Sequence, residues 1–282
     1  MQKLNWQKVN KIIKNALDED IQSGDITSIA MKIKANANAK IVAKEPGILA
    51  GVEVAEKIFK NIDPTLQIKS TKNDGMQIKA GDEILSISGN GQSILTAERT
   101  ALNILGRMSG IATTVNKYIN LIKDTNCKIL DTRKTMPLLR ELDKYSIHCG
   151  GGTNHRYGLF DMILIKENHI RWIGGIEKAI SSALIFNQQL NKKVKIEIEI
   201  TNIAEFKKVL KFPIDRIMLD HFSITEMKKA VKLNDTKIKL EASGDVNLNN
   251  VREIALTGVD FISVGALTHS VNNFDFSLLF DE

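Results

Sequence analysis

Over 282 residues the chain carries a formal net charge of +6, with 43% hydrophobic and only 5% aromatic residues, enough apolar material for the core of one large domain or two smaller ones. No apolar run approaches the ~18 to 20 residues of a membrane span, and the lysines are spread along the chain without the signature of a nucleic-acid-binding module, so neither a membrane nor nucleic acid is the expected partner. Cys127 and Cys149 are too few for a disulfide framework and lack zinc or redox spacing, which leaves two ordinary thiols and a cytoplasmic location.

The opening residues predict a polar amphipathic helix rather than a signal peptide, with Leu4, Val9, Ile12, Ile13, Ala16 and Leu17 on one face. After a turn at Ser23 to Asp25 come three short β-suited runs, AKIVAKEPG, LQIKS and DEILSISG, separated by turn signals at Pro46-Gly47, Asp74-Gly75 and Gly81-Asp82. A long helix follows through TAERTALNILGRMSGIATTV, with Ala97, Ala101, Ile104, Leu105 and Met108 on one stripe, and closes the first unit. This places a first domain over residues 1–112, onto which the very C-terminal residues are able to pack back, and a second over 113–282.

From Cys127 the pattern changes to apolar strands alternating with amphipathic helices: CKILDTR, DMILIKE, VKIEIEI, RIMLD, KIKLEASG and FISVGAL. That is the pattern of a parallel α/β fold. Ser223 and Glu226 have capping-box spacing, and Thr257-Gly258 is a helix stop. Six such strands fall short of an eight-stranded barrel.

Chemistry concentrates between Asp131 and Ile170, where Arg133, Lys134, Arg140, Lys144, Arg156, Lys166, three histidines and the run Gly150-Gly151-Gly152 share one stretch. Arg140, Glu141, Asp143 and Lys144 have helical spacing after Pro137 and are expected on a solvated helix face, paired with one another. Arg133, Lys134, Arg156 and Lys166 instead adjoin strands or the glycine loop, where they suit carboxylates or phosphates. His155, beside Arg156, adds donors, whereas His148, His169, His221 and His269 are expected to be structural.

Each strand ends in a reactive or phosphate-friendly group: Arg133 and Lys134, Lys166, Glu199, Asp220, Ser243-Gly244, and Gly265. In an α/β barrel these ends converge on one mouth, where active sites form. Glu199 and Asp220 among cations suggest Mg²⁺ and a phosphorylated substrate, although Glu197 shares a strand face with Glu199, and alternation alone does not choose between them. Paired carboxylates also serve glycoside hydrolysis, but surrounding cations would depress the acid's pKa that such chemistry needs raised. Ser243, Gly244 and Gly265 suit a phosphate site on late strands.

The motifs LDEDIQSGDIT, AERTALNILGRMSGIAT, DTRKTMPLLRELDKY, GGGTNHRYGLFDMILIKENHI, EIEI, MLDHF, EASGD and VGALTHS occur in this order. In combination they make the chain resemble the quinolinate phosphoribosyltransferases over nearly its whole length. The resemblance implies an amino-terminal α/β sandwich domain, an incomplete α/β barrel of about seven strands, and a homodimer whose barrel mouths are completed by the partner. It implies transfer of phosphoribose from phosphoribosyl pyrophosphate to quinolinate, with loss of CO2, in NAD biosynthesis. By matching motif positions, Arg133, His155, Arg156 and Lys166 surround the quinolinate carboxylates, with Thr132 also binding substrate and Arg99 reaching in from the other subunit. Lys134, Glu199 and Asp220 serve the ribose, pyrophosphate and Mg²⁺, and Ser243, Gly244 and Gly265 hold the 5-phosphate.

Three positions depart from the family pattern: Leu138 where Gly is usual, His221 where Asn is common, and Asp245 where a second Gly often stands. Two rival readings remain open. One is a transferase for nicotinate or another monoacid, which would need fewer cations. The other is a basic, noncatalytic nucleic-acid-binding or scaffold protein on the same barrel.

Overall fold

A computed structural model describes residues 3–236 and 238–281. In chain order the first elements are α1 (Trp6–Ile21), α2 (Ile26–Ala30), β1 (Asn36–Ala43), β2 (Gly47–Ile48), α3 (Val52–Ile62) and β3 (Gln67–Ser70). Then come β4 (Gln77–Ile78), β5 (Glu83–Asn90), α4 (Gly91–Ile122), β6 (Lys128–Leu130), α5 (Arg140–Cys149) and β7 (Met162–Ile165). They are followed by α6 (Glu167–Ile173), α7 (Ile176–Gln189), β8 (Lys195–Ile200), α8 (Ile203–Val209), β9 (Arg216–Asp220) and α9 (Ile224–Leu233). The last are β10 (Lys239–Ser243), α10 (Val251–Ala255), β11 (Phe261–Ser263), α11 (Ala266–His269) and β12 (Phe276–Phe280). No helix among the described residues is long and apolar enough to cross a membrane.

Two compact units result, and the division differs from a single cut near residue 112. The first unit runs to Asn116 and also takes Thr135–Gly151 and the residues from Leu267 onward; the second holds Lys117–Lys134 and Gly152–Ala266. In the first, an antiparallel sheet has the order β12-β1-β5-β3. The C-terminal strand β12 joins it by pairing with β1, Ile41 opposite Leu278. Ile41, Leu85 and Ile87 of this sheet form one apolar cluster with Val9 and Ile13 of α1, Ile58 and Phe59 of α3, and Ala97, Ala101 and Leu105 of α4. The amphipathic spacing of these helices has its physical basis here, since each apolar stripe leaves water for the same core.

The charges of α5 overturn one expectation. Asp143 and Lys144 are 0% and 2% exposed, so this is no solvated face. Asp143 takes two parallel hydrogen bonds from the guanidinium of Arg107 on α4, Nε and Nη2 each at 2.8 Å, and Arg107 also donates to the Thr268 carbonyl. Glu141 accepts from the Asn5 backbone and pairs with Lys8 at 3.6 Å. Helical spacing identifies the helix but not what covers it; α5 is packed against the rest of its unit, so Glu141 and Asp143 find partners distant in sequence. Cys149, at the end of α5, belongs to the apolar cluster, and burial pushes its thiol pKa up to about 12, as it does for Cys127.

In the second unit six parallel strands have the order β6-β11-β10-β9-β8-β7, so all six strands read from the sequence are present. Lys237, at the start of the fifth expected run, lies outside the described residues. Among the described residues no seventh full strand joins this sheet. In its place Thr153, just after the glycine run, makes a single parallel bridge to Leu130 on the free edge of β6. Arg156 then donates through Nη1 to the Met162 carbonyl at 3.1 Å, at the start of β7 on the opposite edge. One bridge and one side chain thus span the gap of an incomplete barrel. The capping box of Ser223 and Glu226 starts α9 as read, and Gly258, with φ of 95°, lies shortly after α10.

Leu138, His221 and Asp245 share a backbone property: all three have left-handed φ, at 68°, 54° and 49°. An L-residue pays a steric cost in that region that Gly avoids, which accounts for Gly or Asn being usual there.

Two stability predictions follow from these contacts. Arg107→Met strands the buried Asp143 carboxylate and is expected to cost about 3 kcal/mol in urea unfolding, part of it recovered by adding Asp143→Leu; a loss under about 1 kcal/mol would count against this reading. Leu138→Gly, at a site 83% exposed, is expected to stabilise by about 1 kcal/mol, and a net loss would show that the Leu138 side chain contributes contacts outweighing the strain.

Candidate active site

Parallel pairing brings the predicted strand-end residues to one edge of the second unit. Across the sheet order the ends carry Thr132, Arg133 and Lys134 after β6, Gly265 after β11, Ser243 and Gly244 at β10, Asp220 at β9, Glu199 in β8 and Lys166 after β7. Ser243 lies opposite Asp220 in the ladder. Side chains two apart share a strand face, so Glu199 has Glu197 one layer below it, and Ser243 has Glu241 below it.

That lower layer is fully buried. Glu197 and Glu241 are both 0% exposed. The guanidinium of Arg216 lies 2.5 Å from Glu241 and 3.9 Å from Glu197 and is stacked over the Phe261 ring at 4.2 Å. Nε2 of His155 lies 3.1 Å from Glu197 and 3.5 Å from Glu241. Burial raises the pKa of both carboxyls, and for Glu241 the neighbouring Glu197 raises it further. His155 is fixed from two more directions: its backbone N–H donates to the buried Asp131 at 2.7 Å, and its Nδ1 accepts from the Arg156 backbone N–H at 2.7 Å.

At the mouth, like charges are gathered. Burial lowers the pKa of Arg156, and the nearby Arg133 guanidinium lowers it further. Lys166, about half exposed, donates to Glu199 at 2.9 Å, so a group expected on the acceptor substrate and one expected on the donor are joined in this structure. Asp220 has its pKa raised by burial and then by the Glu199 carboxylate. The backbone N–H of Lys134 donates to the Thr132 hydroxyl at 3.0 Å, and the Lys134 side chain is exposed.

The late-strand loops are close together because β10 and β11 are paired. Gly244 has φ of 101°, and a Cβ there would meet the His221 ring at 2.7 Å. His221 is therefore not remote from the site. Its Nδ1 lies 3.4 Å from the Asp245 carboxylate, so the two residues that depart from the family pattern are neighbours beside the expected 5-phosphate loop. His169 is structural, its Nδ1 accepting from the Lys166 backbone N–H at 2.9 Å. Arg99 lies on α4 in the first unit and is exposed.

Sequence reasoning missed Glu241, Arg216 and Asp131. A signal was available for Glu241, since KLEAS puts a carboxylate inside an apolar strand, two residues from a site residue on the same face. Two groups have metal-binding chemistry. His155, Glu197 and Glu241 bring ligand atoms within 4.8 Å of one another, but Arg216 already supplies positive charge to both carboxylates. Glu199 and Asp220, partly exposed at neighbouring strand ends, repel one another, and a hard cation would relieve that.

The pattern of the quinolinate phosphoribosyl transferase C-terminal domain matches residues 111–279, and that of the N-terminal domain matches 25–109. Nicotinate-nucleotide pyrophosphorylase (carboxylating), chloroplastic, of Arabidopsis thaliana is 42% identical, over 96% of this chain and 82% of that protein. The probable nicotinate-nucleotide pyrophosphorylase (carboxylating) of Bacillus subtilis is 38% identical, over 98% and 94%. The solved nicotinate-nucleotide pyrophosphorylase of Francisella tularensis superposes with a TM-score of 0.94 at 40% identity, over 99% of this chain and 98% of that one. The chain belongs to the quinolinate phosphoribosyltransferase family.

Proposed function

We propose that the chain catalyses transfer of phosphoribose from phosphoribosyl pyrophosphate to quinolinate with decarboxylation, giving nicotinate mononucleotide, pyrophosphate and CO2 in NAD biosynthesis. The observation that carries the acceptor is the gathering of cations at the strand ends, Arg133 after β6, Arg156 ahead of β7 and Lys166 after β7, with the pKa of Arg156 lowered by burial and then by repulsion from Arg133. A substrate with two carboxylates offsets that repulsion better than one with a single carboxylate, which favours quinolinate over nicotinate. Lys166 joins them once it exchanges Glu199 for substrate, and Thr132 and His155 belong to the same wall.

In the reaction the pyridine nitrogen attacks C1 of the ribose as the C1–O bond to pyrophosphate breaks. Positive charge develops on the ribose, where Glu199 and Asp220 stabilise it, while Lys134 meets the charge of the leaving pyrophosphate. The ring nitrogen becomes cationic, so when the adjacent C–carboxylate bond breaks the electron pair stays on a ring carbon next to positive charge and then takes up a proton. Glu199 and Asp220 are also the residues that fit Mg²⁺, which when bound neutralises phosphate oxygens. Ser243, Gly244 and Gly265 hold the 5-phosphate. The chain's main contribution is to position two polyanions against each other.

We further propose a homodimer in which Arg99 enters the partner's site. Supporting it, Arg99 is exposed on its helix, and large apolar side chains face outward, among them Trp172 at 93%, Phe160 at 76% and Leu159 at 73% exposure; exposed apolar surface is what an interface covers.

Quinolinate with phosphoribosyl pyrophosphate and Mg²⁺ is expected to release pyrophosphate and CO2 in equal amounts, whereas nicotinate supports little release. Turnover with nicotinate alone would sink the assignment. Lys134→Ala and Asp220→Asn are each expected to lower kcat by about 100-fold without changing thermal stability much, and near-parent rates would remove those residues from the mechanism. Chelation is expected to stop turnover and added Mg²⁺ to restore it; full activity in excess chelator would contradict the metal role.

A further inference from the structure

The sheet face that carries the mouth residues continues past the buried carboxylates to the starts of the strands. Side chains two apart share a face, so Lys195 lies below Glu197 and Glu199 on β8, Arg216 below Met218 and Asp220 on β9, Lys239 below Glu241 and Ser243 on β10, and Phe261 below Ser263 on β11. There they meet the segments leading into β9 and β10 and line an open cleft of about 720 Å³, whose apolar wall includes Phe212, Ile214 and Ile238. That volume lies within the range of about 300 to 1,000 Å³ usual for small-molecule sites. The cleft is at the opposite end of the strands from the mouth, and none of its lining residues is among those assigned to substrate or metal.

Among the described residues, four cations and one carboxylate line this cleft. Two of the cations are neutralised in place, Arg216 by Glu241 at 2.5 Å and Lys239 by Asp260 at 2.7 Å. Lys195 and Lys211 are exposed and make no ion pair with a described residue. The carboxylate, Asp215, already accepts from the Ile196 backbone N–H at 2.7 Å. The floor of an α/β barrel ordinarily serves stability, but ammonium groups turned into one concavity without counter-charges repel one another and add nothing to it. Unpaired cations beside an apolar wall suit an anion with an apolar body. A phosphate, with roughly 1.5 to 2 negative charges at neutral pH, matches two lysines better than a single carboxylate does, and Phe212, next to Lys211, offers an aromatic side chain for a flat ring.

We propose that the cleft at the barrel floor is a second small-molecule site, for a monophosphate ester carrying a flat ring, the class to which mononucleotides belong. Lys195 and Lys211 take the phosphate, and the wall of Phe212, Ile214 and Ile238 takes the ring. The site stands apart from the mouth and does not depend on which acid the mouth accepts.

Methyl NMR of the full chain, with signals assigned by Ile214→Val and Ile238→Val, reads the floor separately from anything bound at the mouth. Titrated with adenosine monophosphate, both signals are expected to shift saturably with a Kd of about 1 mM or tighter. Adenosine, which lacks the phosphate, and inorganic phosphate, which lacks the ring, are each expected to bind there about tenfold or more weakly. Replacing both lysines, Lys195→Ala with Lys211→Ala, is expected to weaken adenosine monophosphate by about tenfold or more while leaving turnover within about twofold of the parent. Unshifted floor signals, adenosine or phosphate binding as tightly as adenosine monophosphate, or undiminished binding by the double variant would overturn the proposal, as would loss of turnover in that variant, which would tie the two lysines to the mouth. If the double variant did not fold, the three ligands compared on the parent chain would decide alone.

Discussion

Two carboxylates buried side by side in the interior of a parallel sheet are the constraint around which the second unit is organised. Glu197 and Glu241 have no access to water, and an uncompensated charge there would cost several kcal/mol. Compensation comes from Arg216 on the intervening strand, held flat on Phe261, and from the His155 ring. That second partner is carried by the segment after the glycine run. The same segment bridges Leu130 on one edge and reaches Met162 on the other. The segment that brings His155 to these carboxylates thus also makes the contacts across the gap of the incomplete barrel and carries Arg156.

One layer higher the logic reverses. Below, unlike charges meet; at the mouth, the pKa of Arg156 is lowered by burial and then by Arg133, and that of Asp220 is raised by burial and then by Glu199, so like charges are neighbours there. A fold does not gather like charges for its own stability. On the proposed reading, a dicarboxylate, a pyrophosphate and a cation offset these repulsions when they arrive together. Lys166, hydrogen-bonded to Glu199, offsets part of the repulsion between Glu199 and Asp220.

Legibility in the sequence followed the range of the forces involved. Strands β6 to β11 were readable because each is an apolar run with a turn at either end, and α9 because Ser223 and Glu226 cap it locally. The strand-end residues were readable because parallel pairing places the ends of such runs together whatever the loops do. What is covered by distant chain was not readable: α5 has the spacing of a surface helix, yet Asp143 is buried against Arg107, 36 residues away in sequence. A domain that recruits 135–151 and the C-terminal strand likewise leaves no local mark. The seventh strand shrank to the Thr153 bridge because a glycine run precedes it and His155 turns inward directly after. The left-handed backbone at Leu138, His221 and Asp245 was invisible in composition, since none of the three is the residue that conformation favours.

The most direct test is calorimetric binding of quinolinate and of nicotinate to the parent chain, without phosphoribosyl pyrophosphate, at low ionic strength. If the Arg133–Arg156 pair is built for two carboxylates, quinolinate binds at least about tenfold more tightly than nicotinate, and Arg133→Gln removes most of that margin. Equal affinity for the two acids, or a preference for nicotinate, would contradict the account.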